Sequence, residues 1–258
     1  MTYWRRTGAH TFEPTAYVGG SWDPATQHIA SALGVMAHEV VRDRDARRSD
    51  GLLVSRLSYD ILGTLPIAPM DVELRVLRPG RTIELVEATA SCGGRTGVVM
   101  RAWLTAPHET GAVAGTDLPS MPAPDEMEPW PMSDLWSGEF IATLQLRRKE
   151  MGPGRAVAWL RTDHTLVADE EVSTLASFAA LLDVSNGVAV RTDPRHYAFP
   201  NLDLTAHLFR EPVPGWVGLD TTVSFGTNGV GLTCTVLHDE QGPLGTIAQT
   251  LTVRQQPS

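Results

Sequence analysis

The sequence has little cysteine and no long apolar run. Its two cysteines, Cys92 and Cys234, form no CxxC pair, which argues against a disulfide framework or a structural zinc site and is typical of a reduced, cytoplasmic compartment. No stretch approaches the roughly 18 consecutive apolar residues of a membrane span, so we expect none. Arg5 and Arg6 near the start are not followed by an apolar core, so we expect no signal peptide.

Concentrated positive charge is also absent. The formal net charge is −9, and the most basic run, residues 42–48, mixes both signs as a solvated helix end does. Nucleic acid is bound through a positive surface that releases counterions from the phosphates. A nucleic-acid partner is therefore not expected.

Catalytic motifs of the common kinds are missing as well. There is no GxSxG turn, phosphate-binding loop, HExxH helix or GxGxxG after a strand. The eight histidines do not cluster at ligand spacing, so we predict neither a metal site nor a cofactor. Any chemistry must come from residues that the fold brings together.

The chain does have the composition of a globular protein and an internal repeat. It has 258 residues, of which 42% are hydrophobic and 20% charged, enough for one large domain or two smaller ones. A proline-rich stretch, a poor helix or central strand, separates two similar halves. We predict an N-terminal domain at 1–106, a linker at 107–137 and a C-terminal domain at 138–258.

Each half contains one helix followed by four strands. Asp23-Pro24 predicts a helix start in the first half, and apolar residues recur at helical spacing from Ile29 to Val40. In the second half, Asp169-Glu170-Glu171 predicts the start of a helix that runs to about Val184, with Gly187 as its cap. The predicted strands of the first half are 53–61, 70–78, 82–91 and 96–105. In the second half, one strand is predicted before the helix, at 156–162, and four after it, at 202–208, 216–225, 230–238 and 244–253.

The two halves can be superimposed by sequence. Placing Gly94 on Gly242 brings Arg101 onto Gln249, so we interpret the chain as a duplication. A helix followed by strands with short turns predicts an α+β fold with antiparallel sheets. We expect a tandem hotdog: two antiparallel sheets, each wrapped around a central helix and paired edge to edge.

Asp183 is the first candidate functional residue. It extends the apolar stripe of the predicted helix, although burial of an unpaired carboxylate is costly and a negative charge at a helix C-terminus opposes the dipole. These two costs indicate selection for function. The structural alternative is an Asp that turns outward and bonds Ser185 or Asn186.

Gln249 and Asn201 are the other candidates. Gln249 lies in the last predicted strand, and its amide can hold a water or a carbonyl through a donor and an acceptor. Asn201 follows Pro200 and opens a strand, where Pro-Asn is also ordinary turn chemistry. Strict alternation places Asn201 with His207 on one polar face, so a site against the helix requires the strand start to bend.

Several short motifs together resemble a known family, the acyl-CoA thioesterase II-like double-hotdog proteins, especially their actinobacterial members. The resemblance covers both halves, and so nearly the whole chain, except the proline-rich linker. The matching pieces are Phe12-Glu13-Pro14-Thr15 with Gly20-Ser21-Trp22, Val76-Leu77-Arg78-Pro79-Gly80-Arg81, Leu181-Leu182-Asp183 before Asn186-Gly187, Asn201-Leu202-Asp203-Leu204-Thr205, and Gly242-Pro243-Leu244 leading to Gln249.

The resemblance implies an acyl-CoA thioesterase that acts through a base-activated water. In that family a helix Asp, a strand-start Thr and a last-strand Gln hold the water, and Asp183 and Gln249 occupy the first and last places. Asn201 replaces the Thr, which puts the activity in question. Because Arg101 and Ser55 stand at the equivalent places of the first half, we expect one site per chain. The resemblance also implies an acyl-CoA partner and homodimers or larger assemblies.

Other interpretations stay open. Arg78 and Arg81 flank a Pro-Gly turn and could bind CoA phosphates, or could simply be solvated. A non-catalytic acyl-CoA-binding protein is the main alternative function. A hotdog hydratase is the other, with Asp203 and His207 as its nearest acid and histidine.

Overall fold

The computed structural model of the protein describes residues 1–256, so residues 257 and 258 of the predicted C-terminal domain lie outside the described part. The first half contains strands β1 (Thr2–Arg6) and β2 (Thr11–Pro14), helix α1 (Ile29–Arg47), and strands β3 (Leu53–Ile61), β4 (Met70–Arg78), β5 (Ile83–Cys92) and β6 (Arg95–Thr105). The second half contains helix α2 (Glu139–Ala142), strands β7 (Leu144–Gly152), β8 (Arg155–Thr162) and β9 (Thr165–Val167), helices α3 (Thr174–Ala179) and α4 (Ser185–Val188), and strands β10 (Tyr197–Ala198), β11 (Asp203–Leu208), β12 (Val217–Phe225), β13 (Val230–Asp239), β14 (Gly242–Thr252) and β15 (Arg254–Gln255).

Helix α1 is the central helix of the first half. Every residue from Ala30 to Val41 is buried, as expected for a helix that is surrounded on all sides. The helix begins at Ile29, with the side chain of His28 accepting the Ala30 N–H as its cap. The predicted start at Asp23-Pro24 is wrong, because the Asp23 carboxylate accepts the Ala25 N–H in a separate turn.

Thirteen strands form one sheet around the helices, and β10 pairs with β15 in a separate two-stranded sheet. The strand order of the large sheet is β7-β8-β12-β13-β14-β11-β3-β6-β5-β4-β2-β1-β9. The two halves join where β11 pairs with β3, with Thr205 opposite Ser58 and their hydroxyl oxygens 2.9 Å apart. The hotdog architecture is thus confirmed, and the edge-to-edge pairing merges the two expected sheets into one.

The two ends of this sheet also approach each other. Strand β9 follows directly after β8 in the chain but pairs in parallel with β1 at the opposite end of the strand order. The Tyr3 hydroxyl, on β1, lies 2.5 Å from the Thr143 hydroxyl and 3.1 Å from that of Thr162. The sheet therefore curls around both halves.

The helix of the second half is broken into short pieces. Helix α3 is capped by Ser173, and a 3₁₀ turn at Leu182–Val184 separates it from α4. The predicted continuous helix is wrong: Asp169, expected at its start, has a positive φ of 57°, and Gly187 lies inside α4. No Pro or Gly lies between 172 and 186, so the local sequence does not signal the break.

The proline-rich stretch packs onto the second half. Met127, Met132 and Trp136 are buried, and the Trp159 indole N–H donates to the Pro122 carbonyl at 2.7 Å. The stretch therefore contributes apolar side chains to the core, which its composition alone does not indicate.

The strands predicted after each helix are confirmed to within two residues at either end. The missed strands are short or carry mixed charge; they are β1, β2, β7 and β9, with the two-residue strands β10 and β15. In the part of the chain that the structure describes, every helix is too short or too polar to cross a bilayer.

A buried ion cluster ties the N-terminal strand to both halves. The Arg6 guanidinium lies 2.6 Å from Glu39 on α1 and 2.6 Å from Glu170 in the second half. His38 lies 2.9 Å from the second oxygen of Glu170. Hydrogen bonds from Arg6 hold the pKa of Glu170 at about 2. The Glu39 side chain is only 3% exposed, and Arg6 is its nearest basic partner, with Arg42 farther away at 3.6 Å.

We expect Arg6→Ala to lower the free energy of unfolding by about 3–5 kcal/mol, because it leaves the Glu39 carboxylate buried without its main partner. Urea titration measures this loss. Arg75→Ala is the control: it breaks an exposed pair with Glu87 and should cost less than about 1 kcal/mol. Equal losses in the two variants would contradict the role of the cluster.

Candidate active site

Asp183 is buried in the 3₁₀ turn between α3 and α4. Its side chain is 6% exposed. One carboxylate oxygen, Oδ1, accepts a hydrogen bond of 2.8 Å from the Asn201 amide, and the other, Oδ2, lies 3.7 Å from His28 Nδ1. The alternative of an Asp that turns outward to Ser185 or Asn186 is therefore wrong: the Ser185 hydroxyl donates to the Leu182 carbonyl and the Asn186 amide to the Phe199 carbonyl.

Asn201 reaches Asp183 because the strand start is bulged. Asn201 lies opposite Leu251, whereas Thr205 lies opposite Ala248, so four residue steps on one strand face three on the other. One extra residue turns the preceding side chains to the other face of the sheet. Residues directly opposite each other share a face, and Leu251 is buried while Ala248 is exposed. The bend that a site against the helix requires is therefore present at the start of this strand.

Asp203 stabilises this bulge. Its carboxylate accepts the Thr250 N–H at 2.5 Å, a backbone donor that the regular ladder would otherwise occupy. The Asp203 carbonyl accepts a second hydrogen bond from the Asn201 amide at 3.2 Å. The His207 side chain lies on the exposed face of β11, whereas the Asp203 carboxylate is bonded to the Thr250 N–H. The acid and the histidine named for a hydratase are therefore not brought together with Asp183.

Gln249 lies on the inner face of β14. It is fully buried opposite Thr233 on β13, and it precedes Leu251, the partner of Asn201, on the same face. Neither its amide nitrogen nor its amide oxygen has a hydrogen-bond partner within residues 1–256. A buried amide without partners costs free energy, which is recovered when it binds a water or a ligand.

His28 is a neighbour of Asp183 in the candidate site that the sequence analysis did not predict. Its ring stacks on Phe140, with centroids 4.5 Å apart, and its Nδ1 accepts the Ala30 N–H, so the ring proton is on Nε2. His28 directly precedes Ile29, the first apolar residue at helical spacing, and that is where a helix cap is expected. Placing the helix start at Asp23 obscured this signal.

Burial sets the protonation of both groups. It raises the pKa of Asp183 to about 6, and the hydrogen bond from Asn201 limits the rise. Burial also lowers the pKa of His28 to about 4. At neutral pH the imidazole is therefore uncharged and Asp183 is mostly ionised, so their contact is not an ion pair.

A cavity of about 160 Å³ adjoins Asp183. It is formed by both halves of the chain and by the stretch between them. Its lining includes Trp22, His28 and Ile29 from the first half, Met132 and Trp136 from the connecting stretch, and Ile141, Asp183, Asn186, Gly187 and Asn201 from the second half. Gln249 does not line it, so the structure brings Asp183 and Asn201 together at this cavity but not Gln249.

Arg78 and Arg81 lie away from this cavity. Both are exposed at the β4–β5 turn, where the Arg78 guanidinium donates to the Ile83 carbonyl at 2.8 Å. Arg101, the counterpart of Gln249, is exposed and lies 3.0 Å from Glu87. Ser55 donates to the Trp103 carbonyl. These contacts engage the equivalent positions of the first half, and one site per chain stays a prediction.

Comparisons with known proteins agree with this architecture. Residues 18–106 match the family model described as the acyl-CoA thioesterase N-terminal domain, and residues 115–253 match the acyl-CoA thioesterase C-terminal domain. No curated protein matches the sequence.

Solved structures of low sequence identity share the fold. A protein of unknown function with a hot dog fold from Alicyclobacillus acidocaldarius is 14% identical, with a TM-score of 0.74 over 98% of this chain and 96% of that one. Acyl-CoA thioesterase II TesB2 from Mycobacterium marinum is 14% identical, with a TM-score of 0.69 over 99% and 96%. The tesB protein from Mycobacterium avium subs paratuberculosis is 18% identical, with a TM-score of 0.66 over 97% and 95%.

We expect Asp183→Asn to stabilise the protein at neutral pH. The pKa of Asp183 is raised in the folded state, so the folded protein binds the proton more tightly than the unfolded chain does. The resulting contribution to the free energy of unfolding is fully present below pH 4 and is lost as the pH rises through about 6. At pH 7.5 the variant should gain about 2–3 kcal/mol of unfolding free energy, at 1.36 kcal/mol per pKa unit. The gain should disappear near pH 4. Denaturant unfolding at both pH values measures it, and a loss of stability at pH 7.5 would contradict the assignment.

Proposed function

The chain belongs to the acyl-CoA thioesterase family, which matches both of its halves, and from that premise we propose that it hydrolyses acyl-CoA to a free acid and CoA through a water activated by Asp183. The observation that carries this proposal is the buried Asp183 carboxylate beside a cavity, with one oxygen held by Asn201. A general base needs a pKa near the working pH, and a value of about 6 meets that condition.

The proposed reaction is a direct hydrolysis. Asp183 takes a proton from water while the water oxygen bonds to the thioester carbonyl carbon. As the carbonyl re-forms, the carbon–sulfur bond breaks and the departing thiolate takes the proton from Asp183. The products are the carboxylic acid and the free thiol of CoA, and the enzyme is regenerated.

Three neighbouring groups support this chemistry. Asn201 fixes Oδ1 of Asp183, which leaves Oδ2 available to the water. We assign Gln249 the role of binding the water or the carbonyl oxygen because its buried amide is unpaired within residues 1–256 and it lies on the same face of β14 as Leu251, the partner of Asn201, although it does not line the cavity. The N-terminus of α1, where Ile29 lines the cavity, is the positive end of a 19-residue helix. Its N–H groups other than that of Ala30, which donates to His28, can stabilise the negative charge that develops on the carbonyl oxygen.

An acyl-CoA-binding protein without turnover is the second candidate. Asn201 stands in the place of the family threonine, and its amide donates to Asp183 and to the Asp203 carbonyl. An Asn so engaged offers only its carbonyl oxygen to a water. Measurement of binding beside thiol release separates the two candidates, because a binding protein would retain acyl-CoA and release no thiol.

We expect Asp183→Asn to lower kcat by about 100-fold or more, because a positioned general base contributes about 10²- to 10⁴-fold. In the parent protein, kcat/KM should rise with pH and level off above a midpoint near 6, as Asp183 loses its proton. A thiol-release assay with a panel of acyl-CoAs measures both quantities.

The matched control is Asp60→Asn. Asp60 is exposed next to Ile61, which lines the cavity, so this variant removes the same charge near the cavity without touching the base. Its kcat should stay within about twofold. Asn201→Ala and Gln249→Ala should each lower kcat by about tenfold or more with little change in acyl-CoA binding. An Asp183→Asn variant as active as the parent would contradict the proposed base.

A further inference from the structure

The lining of the cavity beside Asp183 has an exposed part and a buried part. Trp22 is 42% exposed, whereas Met132, Trp136 and Ile141 are all at most 5% exposed. Met132 and Trp136 come from the stretch that joins the two halves, and Ile141 comes from α2. We call these three buried residues the closed end of the cavity.

The size of the cavity limits what can enter it. Its volume is about 160 Å³. An apolar protein cavity of about 150 Å³ holds one benzene molecule, which has six carbon atoms. The nucleotide and pantetheine parts of CoA are far larger, so only the acyl group can occupy the cavity while the thioester lies at Asp183.

Two side chains of the closed end differ in how freely they can move: Trp136 is held in place, whereas Met132 is flexible. Trp136 is fixed, because its indole N–H donates to the Gly187 carbonyl at 3.1 Å and its ring packs edge-to-face against Trp22 and Phe199 at 5.0 and 5.6 Å. Met132 has no side-chain hydrogen bond in the described residues, and a thioether side chain is flexible. A Cβ on Gly187 would lie 2.9 Å from the Met132 methyl carbon, so Met132 packs directly over the helix that follows Asp183.

We propose that the protein selects short acyl groups, with Met132 setting the upper limit on their length. This inference rests on the proposed hydrolase function. The acyl group enters past Trp22, places its carbonyl at Asp183 and ends against Met132. A chain of more than about six carbons must displace Met132 or leave methylene groups in water.

The chain-length profile tests this inference. Thiol release is measured for straight-chain acyl-CoAs from acetyl-CoA to palmitoyl-CoA. The parent should show its highest kcat/KM at or below about six carbons and lose about tenfold or more at twelve, since methylenes outside the cavity contribute no binding. Met132→Ala should move the optimum to chains about two or three carbons longer, because it removes three side-chain atoms from the closed end.

Two further variants make the test specific. Met127→Ala is the matched control: Met127 lies in the same stretch and is 4% exposed, against 3% for Met132, but it packs on Val157 and Trp159 and does not line the cavity. Its chain-length profile should equal that of the parent. Gly187→Ala should press Met132 into the cavity and shorten the optimum, which gives a second test if Met132→Ala does not fold.

The outcomes separate this inference from the proposed function. Preference of the parent for palmitoyl-CoA, or the same shift in Met127→Ala as in Met132→Ala, would overturn the length limit while leaving the hydrolase proposal intact. If no acyl-CoA is hydrolysed, the hydrolase proposal fails. Calorimetric binding of the same acyl-CoAs to the parent and to Met132→Ala then tests the length limit by itself. The parent should bind chains of at most about six carbons most tightly, and Met132→Ala should prefer chains about two or three carbons longer. Tightest binding of palmitoyl-CoA by the parent would contradict the length limit.

Discussion

The hydrogen bond between the Asn201 amide and the buried carboxylate of Asp183 is the interaction on which the account of this protein depends. An ionised carboxylate away from water is unfavourable unless donors surround it. Here one side-chain donor holds one oxygen at 2.8 Å, and the remaining environment is apolar or neutral. Burial raises the pKa of Asp183 to about 6, and this hydrogen bond only limits the rise, so the group can both bind and release a proton near neutral pH.

That interaction exists only because the two halves share one sheet and one interior. Asp183 comes from the broken helix of the second half, and its other oxygen faces His28 at the start of α1 in the first half. Asn201 comes from the bulged start of β11, the strand that pairs with β3 of the first half. The connecting stretch lines the same cavity with Met132 and Trp136. The duplication therefore produces one composite site, in which the first half contributes wall and helix end while the second contributes the acid.

The parts of this arrangement that follow from local patterns could be predicted from the sequence. The sequence predicts strands β3 and β4 with their observed bounds. Alternating apolar and polar residues such as Val72 and Glu73 indicate a strand with one buried face and one solvent-facing face. Asp183 stood out because its position was costly on any reading. The requirement that the strand bend at Asn201 followed from its polar neighbours and is confirmed by the change in register.

The parts that depend on tertiary packing could not be predicted. No Pro or Gly signals the helix break before Asp183. The break occurs just after Ala180, which packs closely on Gly34 of α1: a Cβ added to Gly34 would lie 2.5 Å from the Ala180 Cβ. Met132 and Trp136 lie in a stretch whose prolines indicate a linker, and their burial depends on surfaces provided by distant strands. His28 has no catalytic spacing to any other residue in the sequence. Its proximity to Asp183 arises entirely from the contact between α1 and the broken helix.

The most direct test of the central claim is the titration of the Asp183 carboxyl carbon by carbon-13 NMR, with its resonance assigned by its loss in Asp183→Asn. We expect a midpoint near pH 6, because burial raises the pKa of Asp183 more than the single hydrogen bond from Asn201 lowers it. A midpoint below about 4, the range of an ordinary solvated aspartate, would show that the carboxylate is well solvated or fully paired, and would contradict the account.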